Sequence, residues 1–198
     1  MGLFRESDRK TRERFARWAQ RVENAVAKQA RKARVVVNAR RVTPESDDET
    51  IQYFHTALGP VPEFGVLLSG KTDGCDFAAI LPFTSYEMVF VFGTPSRFSA
   101  SCENRFGTYN VSGGVCDWVC QPKDRKMARQ MNNRLPRPVV QQFIGTAIEH
   151  VDRGGHLGPA GAGYTELSLY GLADEKDAIN MFADTLGNVT GIVQLLRT

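Results

Sequence analysis

Residues 86–92 constrain the fold most, because this stretch is apolar and aromatic apart from Glu87. Valine, phenylalanine and tyrosine favour a pleated, buried surface. A run of this length, bounded by Ser85 and Gly93, predicts a buried central strand. Other short apolar or alternating runs lie between residues 64 and 120, separated by Gly, Pro, Asp and Asn. Such punctuation is typical of a mostly antiparallel sheet.

Helical and strand patterns in the rest of the chain complete the predicted fold. We predict helices over 124–133 and 138–151, with Asp124 capping the first. The glycine-rich stretch 154–163 predicts a mobile surface linker. A strand over 164–172, a helix over 174–186 and a strand over 189–196 then end the chain. The predicted class is α+β: a mostly antiparallel β-sheet body with packed helices, a C-terminal β-α-β unit and a basic N-terminal helical arm.

Charge is divided unevenly along this chain. Residues 1–41 carry thirteen lysines and arginines against four acidic residues, a net charge of +9, whereas the remaining residues carry −6. A basic island at 123–137 has six cations and one aspartate. The acidic, turn-forming stretch 43–49 separates the first basic segment from the predicted strands. We therefore predict a basic N-terminal helical arm at 1–42 and a single α+β body at 43–198.

The arm has the pattern of a helix over residues 7–33. Phe15, Trp18, Val22 and Val26 recur at three- and four-residue spacing, and cations occupy most other positions. The apolar stripe is therefore narrow. Three interpretations stay open. The charges can simply maintain solubility, the helix can bind phosphates, where counterion release rewards excess positive charge, or it can lie in a membrane interface.

A phosphate-binding role explains both basic segments, so our first hypothesis is a structural nucleic-acid-binding protein that assembles with copies of itself. The predicted partner is nucleic acid, RNA in particular, bound without reading its sequence. The candidate contacts are the lysines and arginines of both segments: Arg9, Lys10, Arg12, Arg14, Arg17, Arg21, Lys28, Arg31, Lys32, Arg34, Arg40, Arg41, Lys123, Arg125, Lys126, Arg129, Arg134 and Arg137.

A small β-rich body with a long basic N-terminal arm resembles the layout of coat proteins of small RNA viruses. The resemblance implies a capsid or nucleocapsid-type subunit whose arm neutralises packaged RNA. It also implies a homo-oligomer.

Two other classes of function stay open. An enzyme would require a nucleophile and base, a metal cluster or paired acids in a pocket, and the chain offers a Cys/His site such as Cys116 with His55. No local pattern supports that pair, so we predict no catalytic residue. A membrane-surface or oligomerisation protein would instead use the apolar stripe of the arm.

Residues 65–72 match the pattern G-x-x-x-x-G-K-[ST], which is similar to the phosphate loop of P-loop nucleotide hydrolases. That loop requires a helix at its lysine, whereas Thr72-Asp73-Gly74 is a turn sequence, so we predict a β-hairpin here and no bound nucleotide. Cys116 and Cys120 are too far apart for the usual zinc C-x-x-C spacing. We predict no metal site, no cofactor and four reduced cysteines.

The chain has no run of about 18 apolar residues and no apolar segment behind its charged N-terminus. From this we expect an intracellular, cytoplasmic protein, or one in a virion if it is a coat protein.

Overall fold

The computed structural model describes residues 2–46, 63–84, 87–103, 117–136, 154–160, 163–170 and 174–198. These residues form four helices and eight strands. In chain order they are α1 (Gly2–Ala33), β1 (Val36–Val42), β2 (Gly65–Thr72), β3 (Cys75–Pro82), β4 (Met88–Phe92), β5 (Ser99–Glu103), β6 (Val119–Gln121), α2 (Arg125–Arg134), β7 (Gly154–Pro159), β8 (Thr165–Tyr170), α3 (Glu175–Gly187) and α4 (Val189–Leu196).

The eight strands form one sheet in the order β1-β2-β3-β4-β8-β7-β5-β6, and every neighbouring pair is antiparallel. The α+β class with a mostly antiparallel sheet is therefore confirmed. The predicted central strand is β4, which lies between β3 and β8, and both Phe90 and Phe92 are buried. β5 is another of the strands predicted from the short runs between residues 64 and 120.

The predicted β-hairpin at the phosphate-loop-like sequence is confirmed as β2 and β3. Asp73 and Gly74 join the strands, both with positive φ, which is the backbone of a two-residue hairpin turn. Gly70 lies in the strand under the ring of Phe77, whose Cζ is 2.7 Å from the position of an added Cβ. The second glycine of the pattern thus makes room for an aromatic ring.

The helices pack on one face of the sheet. Alternate residues of the strands face them, for example Val66 and Leu68 of β2, and share one buried cluster with residues of all four helices. A smaller buried cluster, which contains Leu67 and Val91, lies on the opposite face. α1 contacts β1, β2 and α3, and β1 pairs with β2. The residues of the predicted arm therefore belong to the same packed unit as the predicted body: α1 packs on the body, and β1 is hydrogen-bonded to β2 in the sheet.

The predicted final strand is wrong, because residues Val189–Leu196 form the helix α4. Valine and isoleucine in Val-Thr-Gly-Ile-Val suggested a strand. In the structure Val189, Ile192, Val193 and Leu196 are buried at helical spacing against the sheet, and this packing outweighs the local preference. The C-terminus is therefore a strand followed by two helices, and the predicted β-α-β unit is not formed.

The predicted mobile linker is also wrong over its first six residues, which form β7 between β5 and β8. Gly155 is buried there, and a Cβ added to it would lie 2.8 Å from Trp118 Cη2 and 2.6 Å from Leu169 Cδ2. The glycine is thus needed for close packing inside the sheet, and its presence does not indicate a flexible segment.

The predicted helix at the basic island is confirmed as α2, with the Asp124 carboxylate accepting hydrogen bonds from the backbone N–H groups of Lys126 and Met127. Trp118 joins α2 to the sheet. Its backbone N–H donates to Asn132 Oδ1 at 2.8 Å, and its indole Nε1 donates to the Pro136 carbonyl at 2.9 Å. The helix predicted over 138–151 lies outside the described residues.

Replacing Gly155 with alanine tests this packing. Because the new methyl group would overlap the fixed Trp118 ring, we expect Gly155→Ala to lower the free energy of unfolding by about 1–3 kcal/mol in denaturant titrations. The matched control is Gly191→Ala in α4, where the added Cβ meets only Arg134 Cδ at 3.8 Å. The control should raise stability by up to about 1 kcal/mol through helix propensity. Equal stabilities for the wild type and Gly155→Ala would show that β7 is not packed as described.

Candidate nucleic-acid interface

Helix α1 has two sides of opposite character. Phe15, Trp18, Ala19, Val22 and Val26 are buried in the main core. Phe15 and Trp18 are only 4% and 2% exposed. Since these positions repeat with the helical period, the remaining positions face outward and carry the cations. The helix is fixed to the core from Phe15 to Ala30, which holds its charged side in one orientation.

Several of the predicted contact residues form ion pairs with other described residues. Arg12 pairs with Glu45 at 2.5 Å, Arg41 with Glu23 at 2.7 Å, Arg9 with Glu13 at 3.4 Å, and Arg21 with Glu175. Of these pairs, only Arg9 and Glu13 have the i,i+4 spacing that can be recognised in a sequence. The other three acidic partners come from distant positions, so sequence analysis missed them.

The pair between Arg12 and Glu45 has a distinct electrostatic effect. The hydrogen bond from the Arg12 guanidinium, with a smaller one from Thr43, lowers the pKa of Glu45 to about 2. Similarly, the hydrogen bond from Arg41 lowers the pKa of Glu23. Arg12 and Arg41 are therefore already matched by carboxylates at neutral pH.

A second group of cations on α1 is exposed and has no hydrogen bond or ion pair within the described part of the chain. We call this group the free face; it consists of Arg14, Arg17, Lys28, Arg31 and Lys32. The 3.6-residue helical period places Arg17, Lys28 and Arg31 on the side opposite the buried residues, and it places Arg14 and Lys32 at the edge of that side. Arg34, just beyond α1, is likewise exposed and unpaired among the described residues, whereas Lys10 and Arg40 make other contacts.

The basic island lies elsewhere in the helical layer. α2 contacts β6 and α4, and its exposed cations, like those of the free face, have no partner among the described residues; they are Lys123, Arg125, Lys126 and Arg129. Arg134 instead donates a hydrogen bond to the Gly191 carbonyl at 3.2 Å. Arg137 lies outside the described residues. The structure thus gathers five of the predicted contacts on α1 and four more around α2.

The described residues give the Cys/His hypothesis little support. Cys75, Cys102 and Cys120 are buried and unbridged on the helical side of the sheet, and burial raises the pKa of the Cys75 and Cys120 thiols. A raised pKa disfavours the reactive thiolate. His156 is exposed and lies on the opposite face. The pair Cys116 and His55, like His150, lies outside the described residues.

Sequence analysis did not anticipate the polar surroundings of His156. Within the sheet, Ser101 and Ser168 are its direct neighbours on the two adjacent strands. An adjacent cavity of about 420 Å³ is lined in part by Glu166 and Ser168. These are residue types of a nucleophile and a base, but no hydrogen bond joins His156 to them. The contact that would activate a hydroxyl is therefore not formed.

No protein-family model, curated protein or solved structure matches this chain. Among the described helices, none is long and apolar enough to cross a membrane. Within the same residues, no group of three or more His, Cys, Asp or Glu side chains is arranged to hold a metal ion.

Titration of Glu45 tests whether Arg12 belongs to the cations that are paired with a carboxylate. The pKa of Glu45 in the folded protein lies below its ordinary value of 4.5. The ion pair with Arg12 therefore stabilises the fold above pH 4.5, and this stabilisation is lost as the pH falls toward 2. In an NMR titration of the side-chain carboxyl, Arg12→Gln should move the midpoint from about 2 toward 4.5. Arg9→Gln is the control and should leave it unchanged. A midpoint that stays near 2 in Arg12→Gln would show that Arg12 is not the partner.

Proposed function

We propose that the protein binds nucleic acid through its phosphates, without reading base sequence, and that the free face of α1 is the principal contact surface. The observation that carries this proposal is the separation of the cations of the predicted arm, in α1 and β1, into two sets. One set is matched by carboxylates, whereas the five residues of the free face are exposed and unmatched among the described residues. Cations without a carboxylate partner contribute most to the free energy of phosphate binding, because each contact releases counterions condensed on the nucleic acid.

Packing of α1 supports the same proposal. A cationic segment that is disordered before binding must lose conformational entropy when it binds. Here the backbone of α1 is already fixed by buried residues such as Trp18 and Val22, so mainly side-chain freedom is lost. The outward positions near α2 add four cations that contribute a smaller share of binding.

Two other interpretations, a membrane-surface helix and a viral coat protein, can be compared with the structure. The membrane interpretation has Phe4, Phe15 and Trp18 enter the headgroup region. Phe15 and Trp18 are instead in the core, and the side chain of Phe4 lies outside the described residues. The described strands form a single sheet, whereas the jelly roll found in many viral capsid proteins has two. Binding of RNA phosphates does not depend on that architecture. Self-assembly and a coat-type role stay predictions.

The test compares two variants with the same net charge. The first replaces the five residues of the free face with glutamine. The second variant also carries five glutamines, in place of cations outside α1 that are likewise exposed and unpaired among the described residues: Arg97, Lys123, Arg125, Lys126 and Arg129. Each variant should fall from a formal net charge of +3 to −2. Fluorescence anisotropy with a labelled single-stranded RNA, measured over a range of salt concentrations, gives the affinity and its salt dependence.

For wild type we expect log affinity to fall against log salt with a slope near −3.5 for the free face, from roughly 0.7 per phosphate on a single strand. The free-face variant should lose most of this slope and most of the affinity. The second variant should keep the larger part of both. Equal losses in the two variants would show that binding follows net charge alone, and an unchanged free-face variant would refute the proposed surface.

A further inference from the structure

The free face is divided into two clusters, and from this we infer that its preferred ligand is a double-stranded nucleic acid whose two backbones are contacted at once. This inference rests on the proposed function. Arg14 and Arg17 form one cluster, and Lys28, Arg31 and Lys32 form the other. Their centres are roughly fifteen residues apart, or about 22 Å at a helical rise of 1.5 Å per residue.

The outward positions between the clusters carry no free charge among the described residues. Gln20 Nε2 donates a hydrogen bond to Asn24 Oδ1 at 3.2 Å, and Arg21 is paired with Glu175. A strand of nucleic acid lying along the helix would therefore have phosphates at the middle of α1 with no unmatched cation opposite them. Two separate phosphate rows, one at each cluster, suit this arrangement better.

Over residues 8–33, the exposed side of α1 lacks the aromatic groups that favour single strands. Proteins that bind single strands usually stack bases on aromatic side chains. Over residues 8–33, the aromatic residues of α1 are Phe15 and Trp18, and both are buried. The described outward side chains can contact phosphates and groove edges, but they offer no ring on which a base can stack.

The spacing of the clusters agrees with the dimensions of a duplex. The major groove of B-form DNA is about 12 Å wide between its backbones and admits an α-helix. Arginine and lysine side chains are several ångströms long and can tilt along the helix. Clusters about 22 Å apart can therefore each reach one backbone when α1 lies across the groove. Gln20 and Asn24 would then face the groove itself.

The test uses duplexes in which one strand is made neutral. Full-length protein is titrated with a DNA duplex, an RNA duplex, their separate strands and a DNA duplex with uncharged methylphosphonate linkages in one strand. For the unmodified DNA duplex we expect a salt slope near −4.5, from about 0.9 per phosphate for five contacts. The half-neutral duplex should give a slope of only about −1.8 to −2.7, since one cluster always faces the neutral strand.

Variants that lack one cluster at a time test the same two contacts from the side of the protein. Arg14→Gln with Arg17→Gln, and Lys28→Gln with Arg31→Gln and Lys32→Gln, should each weaken binding to the charged duplex by about tenfold or more. The DNA duplex should bind more tightly than its separate strands, and also more tightly than the RNA duplex, whose major groove is deep and narrow. If both clusters followed one backbone, the half-neutral duplex would keep the full slope, and that result would overturn the inference.

The outcomes also separate this inference from the proposed function. Single strands that bind as tightly as duplexes, with both clusters still required, would overturn the duplex preference and leave phosphate binding by α1 intact. Binding that does not depend on either cluster, for every nucleic acid tested, would overturn both.

Discussion

The aromatic contact between α1 and the sheet is the interaction on which the rest of the structure depends. The ring centroid of Phe15 lies 5.1 Å from that of Phe64 and 5.6 Å from that of Phe83. The ring centroid of Trp18 lies 5.2 Å from that of Phe83. Truncation of one such buried aromatic side chain typically costs about 3–5 kcal/mol. The contact covers the β2–β3 side of the sheet and fixes the rotation of α1 about its axis. That rotation decides which cations face solvent.

Fixing the helix in this way has a consequence for charge. Arg12 of α1 lies within reach of the Glu45 carboxylate, and Glu23 of α1 lies within reach of Arg41 on β1. Arg9 and Arg21 also have carboxylate partners, whereas the five cations of the free face have none in the described structure. The packing of one apolar stripe therefore divides a uniformly basic sequence into matched and unmatched charges. Exposed ion pairs contribute little stability by themselves, so their main effect here is to place a carboxylate beside each of those arginines and lower the local positive charge.

Features set by local pattern could be predicted from the sequence. The helical period of α1, the apolar run of β4 and the Asp124 cap of α2 each depend on neighbouring residues, and each agrees with the structure. Two predictions failed because distant contacts decide the outcome. Val189–Leu196 has a strand-like composition but is buried as a helix, and Gly155 is a glycine because Trp118 lies over it. The two sets of cations on α1 could not be separated either, since Glu45 and Glu175 approach the helix only through the fold.

NMR of the arginine side chains gives the most direct measurement of the central claim that packing leaves one set of cations in α1 and β1 matched by carboxylates and the other set free. The guanidinium N–H signals would be followed during addition of nucleic acid at constant salt. We expect the signals of Arg14, Arg17 and Arg31 to shift, while those of Arg12 and Arg41 stay in place because their carboxylates hold them. Uniform shifts across all five, or shifts confined to Arg12 and Arg41, would contradict the claim.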